Sequence, residues 1–143
     1  MAGQKSLKQR YLDGDPIHRA RISMASTADD VAKVLDEKPC DMIYIDSQHG
    51  PHTEWDVKRI CMAAEERGVG VQLRIKHTRH TYLLGNYLDL GPLCIKVPEV
   101  EERAVVEEAI ENFYFPPVGR RSWGGNVGFG VGDYKGDDGV DRH

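Results

Sequence analysis

From residue 20 onward, short apolar runs alternate with longer amphipathic stretches. Residues 20–24 (ARISM), 40–46 (CDMIYID), 70–75 (GVQLRI) and 93–98 (LCIKVP) are short, mostly apolar runs, the length and pattern of strands. The stretch 26–38 predicts a helix: Ser26 or Thr27 can cap it, acids fill its first turn, Val31, Val34 and Leu35 share a face, and Pro39 ends it. Residues 53–68 predict a second, with Thr53 and Asp56 at capping-box spacing and Gly68 as its stop. Residues 80–91 predict a third, ended by Gly91, and residues 101–113 a fourth, with Val105, Val106, Ala109 and Ile110 on adjoining positions. Four strand–helix units in this order predict an α/β fold with a parallel sheet and right-handed crossovers. Residues 1–19 precede the pattern as an N-terminal arm. Residues 119–143 hold 8 of the 15 glycines and no periodicity, which predicts a Gly-rich loop and a flexible tail.

Composition narrows the class. A chain of 143 residues suits one domain with a real core. A net charge of −4, with acids and bases interspersed, gives no basic stripe for nucleic acid. No apolar run approaches the roughly 18 residues that cross a bilayer. The N-terminus lacks the apolar segment of a signal peptide. Cys40, Cys61 and Cys94 are odd in number and widely spaced in apolar surroundings, so reduced, buried thiols in a cytoplasmic protein are expected.

The polar residues at the carboxyl ends of the strands carry the candidate chemistry. Ser23 and Ser26 follow the first strand, Asp46 and His49 the second, and Arg74 and Lys96 lie near the ends of the third and fourth. Such residues beside a sheet are costly without a use. His49 has the character of a general base, Asp46 that of its orienting carboxylate, and Arg74 that of a cation for an anionic substrate. Each also has a plain structural explanation. Asp46 suits a turn or cap, His49 a solvated loop, Arg74 an edge-strand surface, and Lys96 a snorkelling side chain. His49 with His52, and His77 with His80, have the look of metal-ligand pairs, but Pro51 separates the first two and no helical face fixes either pair.

The segments IYIDSQHGP, then LRI with its arginine 25 residues after the histidine, then LDLGPLCIKVPEV and FPPVGRRSWGG, resemble the HpcH/HpaI aldolase/citrate lyase family. The GRRSW element is most similar to the macrophomate synthase branch. The resemblance spans residues 20–125 and covers only the N-terminal half of the family's (β/α)8 barrel. It implies carbon–carbon lyase chemistry on a pyruvate enolate from a 2-oxoacid such as oxaloacetate. His49 would then be the proton shuttle, Asp46 its support, and Arg74 the clamp on the oxoacid carboxylate and enolate oxygen. Tyr44, Lys96 and Trp123 would line the substrate mouth. The chain departs from the family at Gln48, where an acid usually precedes the histidine. The family's divalent metal, Mg²⁺ or Mn²⁺, is held by a Glu and an Asp on later strands, so no metal ligands are assigned to this chain.

A complete barrel takes about 250 residues and eight strands. Four units make a partial (β/α)8 TIM barrel over residues 20–118 and leave two strand edges and one sheet face without partners. A homo-oligomer, or a missing C-terminal half, would supply them. The expected function is a 2-oxoacid aldolase or decarboxylase, weak or inactive alone; the alternative is a non-catalytic binding or assembly module derived from such an enzyme.

Overall fold

The computed structural model describes residues 5–122. The chain forms α1 (Leu7–Leu12), β1 (Arg19–Arg21), α2 (Ala28–Glu37), β2 (Met42–Asp46), α3 (Glu54–Glu65) and β3 (Gly70–Arg74). A 3-10 helix (Thr78–Leu83), α4 (Leu84–Asp89), β4 (Cys94–Lys96) and α5 (Arg103–Phe113) complete it. The strands form one parallel sheet in the order β1-β2-β3-β4, each helical crossover returning the chain to the next position. This is the predicted α/β arrangement of four βα units.

The capping residues set the helix starts. Thr27 accepts from the Asp30 amide while the Asp30 carboxylate takes the Thr27 amide, and Thr53 and Asp56 repeat the exchange before α3. Thr27, not Ser26, caps α2. Gly68, at φ +67°, takes the left-handed conformation that stops the chain after α3.

One face of the sheet carries the core. Ile43 and Ile45 of β2 and Leu73 of β3 are fully buried, packed with Val71, Ile22 and Ile75 under Val31 and Leu35 of α2 and Val57, Ile60 and Ala64 of α3. Leu84 of α4 joins this core, and Ala109 and Phe113 of α5 pack at its edge. Cys61 lies inside it, and burial pushes its thiol up to about 12, so it is inert at neutral pH. Cys40 and Cys94 are free like Cys61 but only half-buried, more accessible than their apolar surroundings in sequence suggest.

In the N-terminal arm Ser6 caps α1, and Arg10 grips Asp41 with Nη1–Oδ1 at 2.5 Å and Nη2–Oδ2 at 3.0 Å. Two expectations change. The third predicted helix opens with a 3-10 segment, whose start the His77 ring caps by accepting from the Arg79 amide at 3.1 Å. On α5 the apolar face is only partly used, since Val106 and Ile110 are 45% and 43% exposed. Among the described residues no helix is long and apolar enough to cross a membrane. The expected flexible tail lies, from residue 123, outside the described residues.

Gly119 seats the segment after α5. A Cβ there would sit on the Tyr114 carbonyl oxygen and 2.6 Å from that of Glu111, and neither backbone atom can move aside cheaply. Gly119→Ala is expected to destabilise the chain by about 2 kcal/mol in urea denaturation. Gly50→Ala, whose nearest neighbour would lie at 3.9 Å, is expected to be nearly neutral.

Arg10 and the His18 amide hold the Asp41 carboxyl down at about 2. A depressed carboxyl stabilises the fold above its unfolded value near 4 and loses that contribution as pH falls through 2. The stability gap between wild type and Arg10→Ala should therefore be widest above about pH 4 and close toward pH 2, read from denaturation curves across that range.

Candidate active site

Side chains alternate along a strand, so the register that buries Ile43 and Ile45 turns Met42, Tyr44 and Asp46 to the opposite face. Strand pairing sets Arg21, Tyr44, Gln72 and Cys94 abreast, and Asp46, Arg74 and Lys96 abreast beyond them toward the carboxyl ends. Among the described residues no helical layer covers this face, and only its amino-terminal end is approached by α1, through Leu7 beside Gly70. Arg19, Arg21 and Lys96 are exposed on it, and Tyr44, Gln72, Arg74 and Cys94 are half-buried.

The tightest contact on the face joins Asp46 and Arg74. Arg74 donates through Nε to Asp46 Oδ1 at 2.8 Å and through Nη2 to Oδ2, a two-point fork. The Gln48 amide donates to Oδ1 at 3.0 Å, and Arg21 Nη2 lies 3.5 Å from Oδ2. Ser47 fixes the neighbouring backbone by donating from its amide and its hydroxyl to the Arg74 carbonyl. The Arg74 hydrogen bonds hold the Asp46 carboxyl below the usual range against the opposing effect of burial, helped by the Gln48 amide and by the charges of Arg74 and His49.

His49 thus lies close enough to act on Asp46 electrostatically, but both Asp46 oxygens are engaged by arginine. The hydrogen bonds of the carboxylate go to Arg74 and the Gln48 amide, while His49 acts on it by charge alone. The physical reason is that a guanidinium matches a carboxylate at two points where an imidazole matches it at one. His49 is exposed in the turn after β2. Tyr44 lies between two cations, with Arg19 Cζ 5.9 Å and Lys96 Nζ 6.0 Å from its ring centre. Trp123 lies outside the described residues.

Arg19 and Arg21 escaped the sequence reasoning. The signal was present in RAR (residues 19–21), where a period of two puts both arginines on the face of Tyr44. Arg19 also donates to Gln72 Oε1 at 2.5 Å. The histidine pairs do not assemble as ligands: the His77 ring is used as a cap. His52 and His80 each bury an Nδ1 with no hydrogen-bond partner, and desolvation lowers the His52 pKa. Among the described residues no three His, Cys, Asp or Glu side chains come together to hold a metal ion. With Asp46 committed to arginine, the residues of this face do not fit a divalent cation.

No family model matches the chain. It is 25% identical over 138 residues to a hydroxypyruvate/pyruvate aldolase of Roseobacter denitrificans, covering 96% of this chain and 51% of the aldolase. Its fold matches an HpcH/HpaI aldolase from Desulfitobacterium hafniense with a TM-score of 0.75 at 23% identity, over 91% of this chain and 48% of that one. It also matches the citrate synthase SbnG (TM-score 0.72, 24% identity, 82% and 47% covered) and macrophomate synthase (TM-score 0.67, 25% identity, 85% and 41% covered). The chain is therefore an HpcH/HpaI-like partial barrel of four βα units. It spans about half the length of the curated relative it matches.

Asp46→Asn keeps the shape of the fork but removes the charge that two arginines share. A loss of about 2 kcal/mol at neutral pH is expected. Because the Asp46 carboxyl is depressed, its contribution is present above the ordinary carboxylate pKa and is lost as pH falls below it. The difference between wild type and variant in thermal denaturation should shrink accordingly on acidification.

Proposed function

We propose that the chain provides the oxoacid-holding and proton-transferring part of a carbon–carbon lyase site acting on a 2-oxoacid of the pyruvate or oxaloacetate type. The observation that carries this is the Asp46–Arg74 fork at the strand ends beside His49, on a fold shared with aldolases. Asp46 occupies Nε and Nη2 of Arg74 and holds the guanidinium plane, leaving Nη1 for an anion. Arg74 holds the carboxylate and the oxygen that becomes the enolate, Lys96 and Tyr44 border the same space, and His49 moves the proton at the carbon beside the carbonyl. In decarboxylation of oxaloacetate the C3–C4 bond breaks, CO2 leaves, and its electron pair passes to the enolate oxygen facing Arg74. Proton delivery from His49 to C3 then gives pyruvate.

The family's divalent metal would supply further charge at the enolate oxygen, but the described residues do not form its site, so turnover by the chain alone is low. The alternative function, a non-catalytic binding or assembly module, is favoured by the sheet face that the described residues leave open. Three unbridged cysteines agree with a reducing cytoplasmic setting.

Oxaloacetate decarboxylation by the purified chain, followed with added Mg²⁺ or Mn²⁺, distinguishes the two. The expected outcome is slow turnover that falls about 100-fold in His49→Ala. Arg74→Lys, which cannot reproduce the fork, should weaken substrate binding and turnover together. A folded chain without turnover at any metal concentration rules out the lyase function for this polypeptide.

A further inference from the structure

Two half-buried histidines stand on neighbouring turns beside the fork. His52 closes the turn between β2 and α3, and His80 lies in the 3-10 helix that follows β3. In each ring Nδ1 is shielded from water and has no hydrogen-bond partner among the described residues. The rings are close enough that the charge of His80 acts on His52. Both turns leave the strand ends that hold Asp46 and Arg74.

The surroundings of His52 favour the neutral ring. Burial acts most strongly and lowers its pKa, against the nearby Gly50 carbonyl. Lys76 past β3 and His80 in the 3-10 helix add to the lowering, and Asp56 of α3 opposes it. That carboxylate is already engaged, accepting from the Thr53 amide and hydroxyl and from Arg59. Beside His80, Glu108 of α5 is likewise taken, accepting from the Thr81 hydroxyl. A neutral imidazole can leave a buried Nδ1 as a bare acceptor, whereas an imidazolium carries a proton on both nitrogens. Protonation in place would set a charged N–H without an acceptor where water does not reach, which costs more than an unmet lone pair.

The anchoring of each side decides which segment yields. The 3-10 helix is capped by His77 and tied down at Thr81, a fully buried residue that donates to the Thr78 carbonyl. Thr53, directly after His52, is fixed in the capping box of α3. The turn before it is held more lightly. The Gln48 amide reaches Asp46, His49 and Pro51 are exposed, and among the described residues a Cβ on Gly50 would meet only the Asp46 carbonyl within 4 Å. We propose that His52 is a pH-sensitive latch: as a neutral ring beside His80 it holds residues 48–51 against the fork, and on taking up a proton it releases them. Opening brings Nδ1–H out to water and moves the new charge away from Lys76 and His80. The Gln48 amide then leaves Asp46, and His49 moves with it. The latch belongs to the turn and holds whether or not the site turns over an oxoacid.

NMR on the 143-residue chain from about pH 7.5 to about pH 5.5 reads the turn and the ring separately. That range lies above the one in which the depressed Asp41 and Asp46 carboxyls titrate. A single proton taken up on opening, by a ring that returns to the ordinary value near 6.5, favours the open turn about 10-fold across the range. Hydrogen exchange at the Gln48 amide, corrected for its intrinsic rate, should therefore lose about 10-fold protection on acidification. The Leu93 amide, bonded to the Val71 carbonyl within the sheet, should keep its protection. His52→Gln, neutral throughout, should abolish the change at Gln48. His49 is still present in that variant, so a response that survives there overturns the proposal. Gln48 protection that does not move with pH in folded wild type overturns it as well. Should His52→Gln fail to fold, the wild-type ring decides. Its carbon-bound protons should titrate below 6.5, and a midpoint at or above that value refutes the latch.

Discussion

One carboxylate, that of Asp46, faces two guanidinium groups across the carboxyl ends of three strands, and the rest of the polar face is arranged around it. Its position follows from the hydrophobic core. Burying Ile43 and Ile45 contributes about 1.5–3 kcal/mol each, together more than the roughly 2 kcal/mol expected from the charge-assisted hydrogen bonds of Asp46. The core therefore sets the register of β2, and the register places Tyr44 and Asp46 on the other face. A slip of one residue would invert both sets together. Once Asp46 is set, the pairing of β2 with β3 brings Arg74 abreast of it, and the pairing with β1 brings Arg21 within reach.

The same alternation explains how this sheet face tolerates water. In a complete barrel the inward side chains pack against one another. An apolar inner face would here be a broad hydrophobic patch bounded by two open strand edges, the combination that leads to aggregation. Instead the inward positions carry Arg, Tyr, Gln, Lys and Asp, which remain solvated or pair among themselves. Near the amino ends of the strands Met42 is buried, and the Leu7 and Leu93 side chains approach Gly70 closely enough that a Cβ there would contact both. So α1 closes the floor of the face, while the end that holds Asp46, Arg74 and His49 stays open.

Local signals were legible in the sequence and contacts between distant segments were not. Thr27 with Asp30 and Thr53 with Asp56 announce their helices because the whole capping interaction lies within four residues. The strands of CDMIYID and GVQLRI are legible because each is a short, mostly apolar run between helix signals. Arg19 and Arg21 were hidden because the first strand is only three residues long, and its polar positions read as a boundary. Their role depends on pairing with Tyr44, more than 20 residues away, which no local pattern specifies. The exchange of His49 for Arg74 as the partner of Asp46 was hidden for the same reason. Asp46 and His49 are three apart in sequence, but the parallel ladder makes Asp46 and Arg74 direct neighbours. Strand pairing, not spacing along the motif, decides which of these residues touch.

Covering the face would alter the chemistry of the fork as well as its packing. In the open sheet the Arg74 side chain keeps about a fifth of its exposure, and water competes with any anion for its free nitrogen. Two unit charges about 4 Å apart attract by about 1 kcal/mol in water and by about 4 kcal/mol at the effective dielectric of a protein interior. An anion beside Arg74 is thus held strongly only where solvent is excluded. Asp46 already holds two of the nitrogens of Arg74 and fixes its plane, so the pull of the remaining nitrogen on an anion rises as water leaves the face, with no change in the geometry of the fork.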